Sequence, residues 1–191
     1  GTDLKIGLAQ LAQRQAQGRI EVDSKTAASG PSWPNGCHIC EVELDPQTGE
    51  VNVVRYSSVN DVGRVVNPMI VRGQLDGGAV QGIGQALLEH MVYDAESGQP
   101  VTGSLMDYAI PRAEDVPELI TESLCNPSPN NLLGAKGVGE AGCIGVPAVI
   151  MNAARDALSP VGEADLQFPL TPPRVWHALQ SLRSAPARKT A

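Results

Sequence analysis

The run Leu133-Gly134-Ala135-Lys136-Gly137-Val138-Gly139-Glu140-Ala141-Gly142 limits what this chain can fold into more than any other stretch. Its four glycines cannot be kept for helix or strand propensity, because each glycine loses more conformational freedom on ordering than any other residue. The run is therefore a loop, and it carries one lysine and one carboxylate. Pro129, Asn130 and Asn131 lead into it, and apolar Val138 and Ile144 punctuate it. A helical pattern starts just past Pro147, with Ala148, Val149, Ile150, Ala153, Ala154 and Leu158. A loop held between buried residues and a helix start suits close approach to a partner and presentation of one carboxylate. A mobile surface loop is the competing reading.

The 191 residues suffice for one core or two small subdomains. Twenty glycines and 15 prolines, scattered and not repetitive, make the chain loop-rich. A net charge of −7 argues against nucleic acid and anionic membranes as partners. No stretch is long and apolar enough to span a bilayer. Cys37 and Cys40 form a CxxC, but a zinc site needs a second pair, and Cys125 and Cys143 are far apart. Cys37, Ile39, Glu41 and His38, Cys40, Val42 alternate as a strand does, which is the preferred reading. Reduced, buried cysteines would fit a cytoplasmic protein.

Asp3 to Gln17 reads as a helix, with Leu4, Leu8 and Leu11 at helical spacing, and Arg19 to Thr26 as a strand. Cys37 to Leu44 and Val51 to Val59 are predicted strands. The turn signal Asp45-Pro46-Gln47-Thr48-Gly49-Glu50 joins them into a hairpin. Met69 to His90 is a predicted long helix. A turn at Tyr93 to Gly98, flanked by short strands, and a strand at Glu118 to Cys125 follow. Helices are expected at Pro147 to Leu158 and Pro173 to Leu182. Hairpins beside helices, in mixed order, predict an α+β fold: β-hairpins and a mixed sheet packed with helices.

The helix from Met69 holds Gly73, Gly77, Gly78, Gly82 and Gly84, each costing about 1 kcal/mol relative to alanine. Turning the helix 100° per residue gathers Gln74, Gly77, Gly78, Gln81 and Gln85 on one side, with Gly82 at the edge. Leu75, Ala79, Ile83, Ala86 and Leu87 lie opposite and form a core face. Close packing against a neighbouring backbone explains glycines but not three glutamines. Amides beside bare backbone suit a large polar heterocycle or a phosphate. Asp76 falls on the apolar side and fits neither account.

Glu140 is the only carboxylate of the Gly-rich loop. Shelter from water would raise its pKa and suit a general base. Lys136 would oppose that rise if close, or could hold an anion. Asp61, in Asn60-Asp61-Val62-Gly63-Arg64, is read as an Asx-turn former. His38, His90 and His177 show no ligand spacing. The loop is not a P-loop, since Lys136 lacks the following Ser or Thr.

Five segments carry a family resemblance: PSWPNGCHICEVELDPQTGEV, NDVGRVVNP, GQLDGGAVQGIGQALLEH, GSLMDYAIPRAEDVPEL and PSPNNLLGAKGVGEAGCIGVPAVIMNA. In this order, from Pro31 to Leu158, the chain resembles the C-terminal part of the molybdenum-binding large subunit of the xanthine dehydrogenase, aldehyde oxidase and aerobic carbon monoxide dehydrogenase family. It is most similar to the bacterial carbon monoxide and aldehyde dehydrogenase branch. The resemblance implies that Glu140 is the family's catalytic glutamate, a general base in an oxidation whose oxygen comes from water. It implies that Gln74 contacts the cofactor near molybdenum, that Lys136, Gly137, Val138 and Gly139 line the pterin, and that Gln81 and Gly82 form a helix-borne cofactor contact. No His or Cys metal cluster is implied, because pterin sulfurs hold the metal. The implied cofactor is molybdopterin cytosine dinucleotide with molybdenum. The implied partners are the remainder of the large subunit and iron–sulfur and flavin subunits or domains.

On this reading residues 1–191 are one C-terminal fragment of a molybdenum-cofactor-binding domain, with 184–191 as a flexible tail. It is either an excised piece, which the leading Gly1 favours, or one product of a split gene. By itself it is expected to be inactive and free of molybdenum. The substrate, an aldehyde or an N-heterocycle, is set largely by residues elsewhere. Two other readings stand beside it: a non-catalytic assembly module of the same fold, and an unrelated nucleotide-binding domain.

Overall fold

Asp45 to Glu50 turns the chain back on itself, as its residue types dictate. The Asp45 carboxylate accepts the Gln47 N–H at 2.7 Å, and the Asp45 carbonyl accepts the Gly49 N–H at 2.8 Å. In a computed structural model describing residues 3–27 and 29–184, this turn joins β1 (Asn35–Leu44) to β2 (Val51–Asp61). The two pair antiparallel, with one irregularity between Glu41 and Val42. A third strand, β3 (Leu119–Leu124), lies parallel to β2 on its other side, with Tyr56 opposite Leu119 and Asp61 opposite Leu124. The sheet is thus mixed, in the order β1-β2-β3.

The long connection from β2 to β3 contains α2 (Pro68–Leu87), and α3 (Val146–Leu158) and α4 (Pro172–Ser184) follow β3. Pro68 opens α2 where a missing N–H costs nothing, and the Asn67 side chain caps it by accepting the Ile70 N–H at 3.2 Å. The main core joins Val51, Val53 and Tyr56 of β2 to Ala79, Ile83, Ala86 and Leu87 of α2. Val146, Ile150, Ala154 and Leu158 of α3 and Val175 and Leu179 of α4 complete it. Each fully buried large side chain contributes about 1.5–3 kcal/mol. A second, smaller cluster of Val62, Leu75 and Ala141, with Val65, Val71 and Val138 packed on it, lies under the Gly-rich loop. The expected α+β class, the hairpin and the helices from residue 68 onward are all present.

The amino-terminal expectations fail. The helix read over Asp3 to Gln17 shrinks to α1 (Leu8–Gln13), with no buried residue. Leu4 and Leu8 remain 88% and 78% exposed, so the apolar stripe has nothing to pack on, and a helix this short is marginal without packing. Arg19 to Thr26 forms no strand, and Ile20 and Val22 are exposed. The turn at Tyr93 to Gly98 is flanked by a single bridge, Tyr93 to Pro100, in place of strands. The tail expected from 184 lies outside the described residues, apart from Ser184, which closes α4.

The strand reading of the CxxC holds. Along β1 the side chains alternate, so Cys37 and Cys40, three residues apart, face opposite sides. The expectation of buried cysteines does not hold. Cys37 and Cys125 are exposed, Cys40 and Cys143 half-buried, and all four are free thiols. No helix among the described residues is long and apolar enough to cross a membrane.

Candidate functional site

The Gly-rich loop is pinned at its start. Gly63, just past β2, takes a left-handed φ of +66°, and a Cβ there would lie 2.3 Å from the Gly134 carbonyl oxygen. That close approach forms a bridge between Gly63 and Ala135. The Gly134 carbonyl accepts the Arg64 and Ser128 N–H groups at 2.9 and 3.0 Å, and Lys136 N–H donates to Val62 at 2.9 Å. Asn131 holds Ala135 from both ends. Its Nδ2 donates to the Ala135 carbonyl at 2.8 Å, and its Oδ1 accepts the Ala135 N–H at 3.1 Å. The competing picture of a slack loop does not apply to this half.

The far end of the loop meets α2 backbone to backbone. A Cβ on Gly142 would sit 2.2 Å from the Leu75 carbonyl oxygen, and one on Gly78 would sit 3.0 Å from the backbone of Gly142 and Cys143. Gly82 is likewise buried against Val146, whose Cβ would be 2.5 Å from an added methyl. Gly84 is pressed by Pro111 and the end of the Glu89 side chain. These glycines answer to packing. The glycine-rich face read from the sequence therefore divides: Gly78 and Gly82 are buried, while Gly73, Gln74, Gly77, Gln81 and Gln85 are exposed. Nothing lies within 4 Å of a Cβ built on Gly73 or Gly77.

Gln74 and the loop come together. Its Oε1 is 4.0 Å from a Cβ built on Gly139, the residue before Glu140. Gly137 has open space around it, and Gly139 is exposed. Val138 turns its side chain into the small cluster with Val62, Leu75 and Ala141, and its carbonyl accepts the Ala141 N–H at 3.2 Å. Gln81 lies two turns further along the same face of α2, away from the loop. Glu140 is exposed, so this chain does not supply the shelter the sequence reading expected for it. Its carbonyl accepts the Cys143 and Ile144 N–H groups at 3.0 and 3.1 Å, starting the turn into α3. Burial, then the Glu140 and Glu89 charges, push the Cys143 thiol up from its ordinary value.

Lys136 departs most from expectation. Its Nζ neither faces Glu140 nor stands free for an anion; it lies 2.6 Å from Asp61 Oδ2, with both side chains about nine-tenths buried. The Asx turn expected at Asp61 is present, since Oδ1 accepts the Gly63 N–H at 3.0 Å. Oδ1 also accepts the Asn126 N–H at 3.1 Å. Asp76, which fitted no account, bonds Thr121 of β3 through Oδ1 at 2.7 Å and pairs with Arg72 at 2.5 Å. Sequence reasoning also missed a polar group under the turn that follows Glu140. His38 is hydrogen-bonded to the Tyr56 hydroxyl and contacts Gly145, and burial lowers the His38 pKa.

Residues 6–117 match the family model described as the molybdopterin cofactor-binding domain. The chain belongs to this family. The matched region contains β1, β2, α2, Gln74 and Gln81, and ends before the Gly-rich loop. The nicotine 6-hydroxylase large subunit of Paenarthrobacter nicotinovorans is 43% identical over 85% of this chain and 20% of its own length. Among solved structures, quinoline 2-oxidoreductase from Pseudomonas putida 86 superimposes with a TM-score of 0.73 at 43% identity, covering 77% of this chain and 19% of that one. Carbon monoxide dehydrogenase from Oligotropha carboxidovorans gives a TM-score of 0.75 at 33% identity, covering 78% and 18%. This molybdopterin-binding domain spans about a fifth of the length of the curated relatives it matches.

Proposed function

We propose that this chain forms one wall of a molybdenum–pterin site in a larger oxidoreductase subunit and carries that enzyme's general base, Glu140. The observation that carries the reading is the exposed strip Gly73, Gln74, Gly77 and Gln81 on α2, whose Gln74 Oε1 comes within 4.0 Å of a Cβ built on Gly139, the residue before the exposed Glu140. Exposed glycines inside a helix cost about 1 kcal/mol each relative to alanine. Packing within the described chain offsets that cost at Gly78 and Gly82 but not at Gly73 or Gly77, where an added Cβ meets nothing. A ligand that needs the bare backbone and the amides accounts for both. Gln74 and Gln81 offer donors and acceptors to a polar ring system, and the backbone of Gly137 to Gly139 lines the other side.

The bound group would supply two-electron oxidation with water as the oxygen source. The residues of this chain would orient it and, through Glu140, remove a proton as the new bond to oxygen forms. The substrate reading is an N-heterocycle or an aldehyde. The names of the similar nicotine and quinoline enzymes favour the N-heterocycle. Molybdopterin cytosine dinucleotide as cofactor, iron–sulfur and flavin partners, and a cytoplasmic location belong to the same proposal. A non-catalytic assembly module is the second reading, and one substitution tests the strip itself. Gly77→Leu fills space that is open on this chain, and in subunits that assemble the molybdenum content, measured by metal analysis, is expected to fall severalfold. Full molybdenum in a normally assembled variant contradicts the proposal. The two readings separate at Glu140: Glu140→Gln abolishes turnover at intact molybdenum content on the first, and normal turnover favours the second.

A further inference from the structure

The one cation of the Gly-rich loop is turned away from the ligand-facing strip. Lys136 reaches back to Asp61, 75 residues earlier, and the pair is about nine-tenths buried. The other oxygen of the same carboxylate accepts backbone N–H groups from Gly63, just after β2, and Asn126, just after β3. One side chain therefore ties two strand ends to the loop. The backbone anchors of the loop cluster at Gly134, Ala135 and Lys136, apart from a long 3.5 Å contact from Gly137 to Ser32. Between there and the close contact of Gly142 with Leu75, the segment bearing Glu140 is held by Val138 and the buried Ala141, by the Ala141 N–H on the Val138 carbonyl at 3.2 Å, and by the Glu140 carbonyl on the turn into α3.

A buried ion pair is poor evidence of a stabilising device, because desolvation offsets much of the attraction. Its use here is geometric. A point charge on a long stem, held by a carboxylate that two backbone N–H groups fix in place, sets where residue 136 sits and how the next residues leave it. We propose that Asp61 and Lys136 are positioning residues, a clamp that sets the loop so that Gly139, and with it Glu140, comes up to Gln74. The catalytic half of this proposal rests on Glu140 as base; the geometric half does not.

The test is a double-mutant cycle in the assembled enzyme, with Lys136→Met, Asp61→Asn and both together. The readouts are kcat, KM, molybdenum content and amide hydrogen exchange over residues 134–140. Lys136→Met leaves a bare carboxylate in the cage and loosens the loop. The expected result is a kcat lowered on the order of 10- to 100-fold, since small misplacement of a reacting group costs about that much. KM stays within about threefold, molybdenum is retained, and exchange over 134–140 quickens. The double variant removes the unpaired charge and recovers about tenfold of the lost kcat, with slower exchange than the single variant. A double variant no better than Lys136→Met overturns the clamp, as does unchanged exchange. Loss of molybdenum in single and double variants alike also overturns it, because Lys136 then acts on the cofactor directly. If Lys136→Met does not assemble, Lys136→Arg is expected to lower kcat at constant KM, and wild-type kcat in that variant counts against the clamp. Glu140→Gln runs alongside. Normal turnover there removes the base assignment, and the exchange data still decide the clamp.

Discussion

The Asp61 carboxyl is held below the ordinary carboxylate range, first by its hydrogen bond from Lys136 and then by the Gly63 N–H, with burial opposing and the Asn126 N–H assisting. Its ordinary value is about 3.9. Because the folded-state value is depressed, the stabilisation is fully present above the unfolded value and is lost as pH falls through the folded one. The stability difference between wild type and Asp61→Asn, followed by denaturant titration, should be flat above about pH 5 and shrink progressively below about pH 4. A difference that persisted unchanged to about pH 2 would contradict the assignment of this carboxylate as the charged anchor. The Asx turn at Asp61 was legible, because Asp two residues before Gly is a local pattern. Its pairing with Lys136 was not, since nothing local in the sequence relates positions 75 residues apart. For the same reason Lys136 was read as facing a ligand or Glu140.

The helix α2 shows how far periodicity reaches. The 3.6-residue period placed Leu75, Ala79, Ile83, Ala86 and Leu87 inside, and all five are buried. It could not say which glycines are pressed by neighbours, because that depends on where α3 and the loop return. Gly82 meets Val146 and Gly78 meets the loop backbone, whereas Gly77 meets nothing. Alanine substitutions should therefore differ in sign. Gly82→Ala forces a methyl to 2.5 Å from the Val146 Cβ, where neither side can yield. Its expected cost is about 1–3 kcal/mol, read as a lower unfolding temperature. Gly77→Ala should leave stability unchanged or raise it by up to about 1 kcal/mol. Equal losses at both positions would show that Gly77 is also enclosed. The hairpin β1–β2 was legible because its turn chemistry is local. The helix over Asp3 to Gln17 and the strand over Arg19 to Thr26 were misread because such elements need a surface to pack on, and the described fold offers them none.

At the scale of the whole molecule, a domain spanning about a fifth of its relatives leaves much apolar surface uncovered. Leu132, Met106 and Leu105 are 95%, 93% and 74% exposed, and Ile144, beside the site, is 75% exposed. A complete subunit has ample reason to cover this surface. Glu140 is likewise exposed among the described residues. The central proposal is that this exposed carboxylate, one residue past the Gly139 that approaches Gln74, is the base of the assembled enzyme. Glu140→Gln keeps the shape and removes the basic oxygen. Steady-state turnover of the assembled variant should fall by at least about 100-fold, as loss of a general base does, with molybdenum content unchanged. Turnover at the wild-type rate in a fully loaded variant would contradict it.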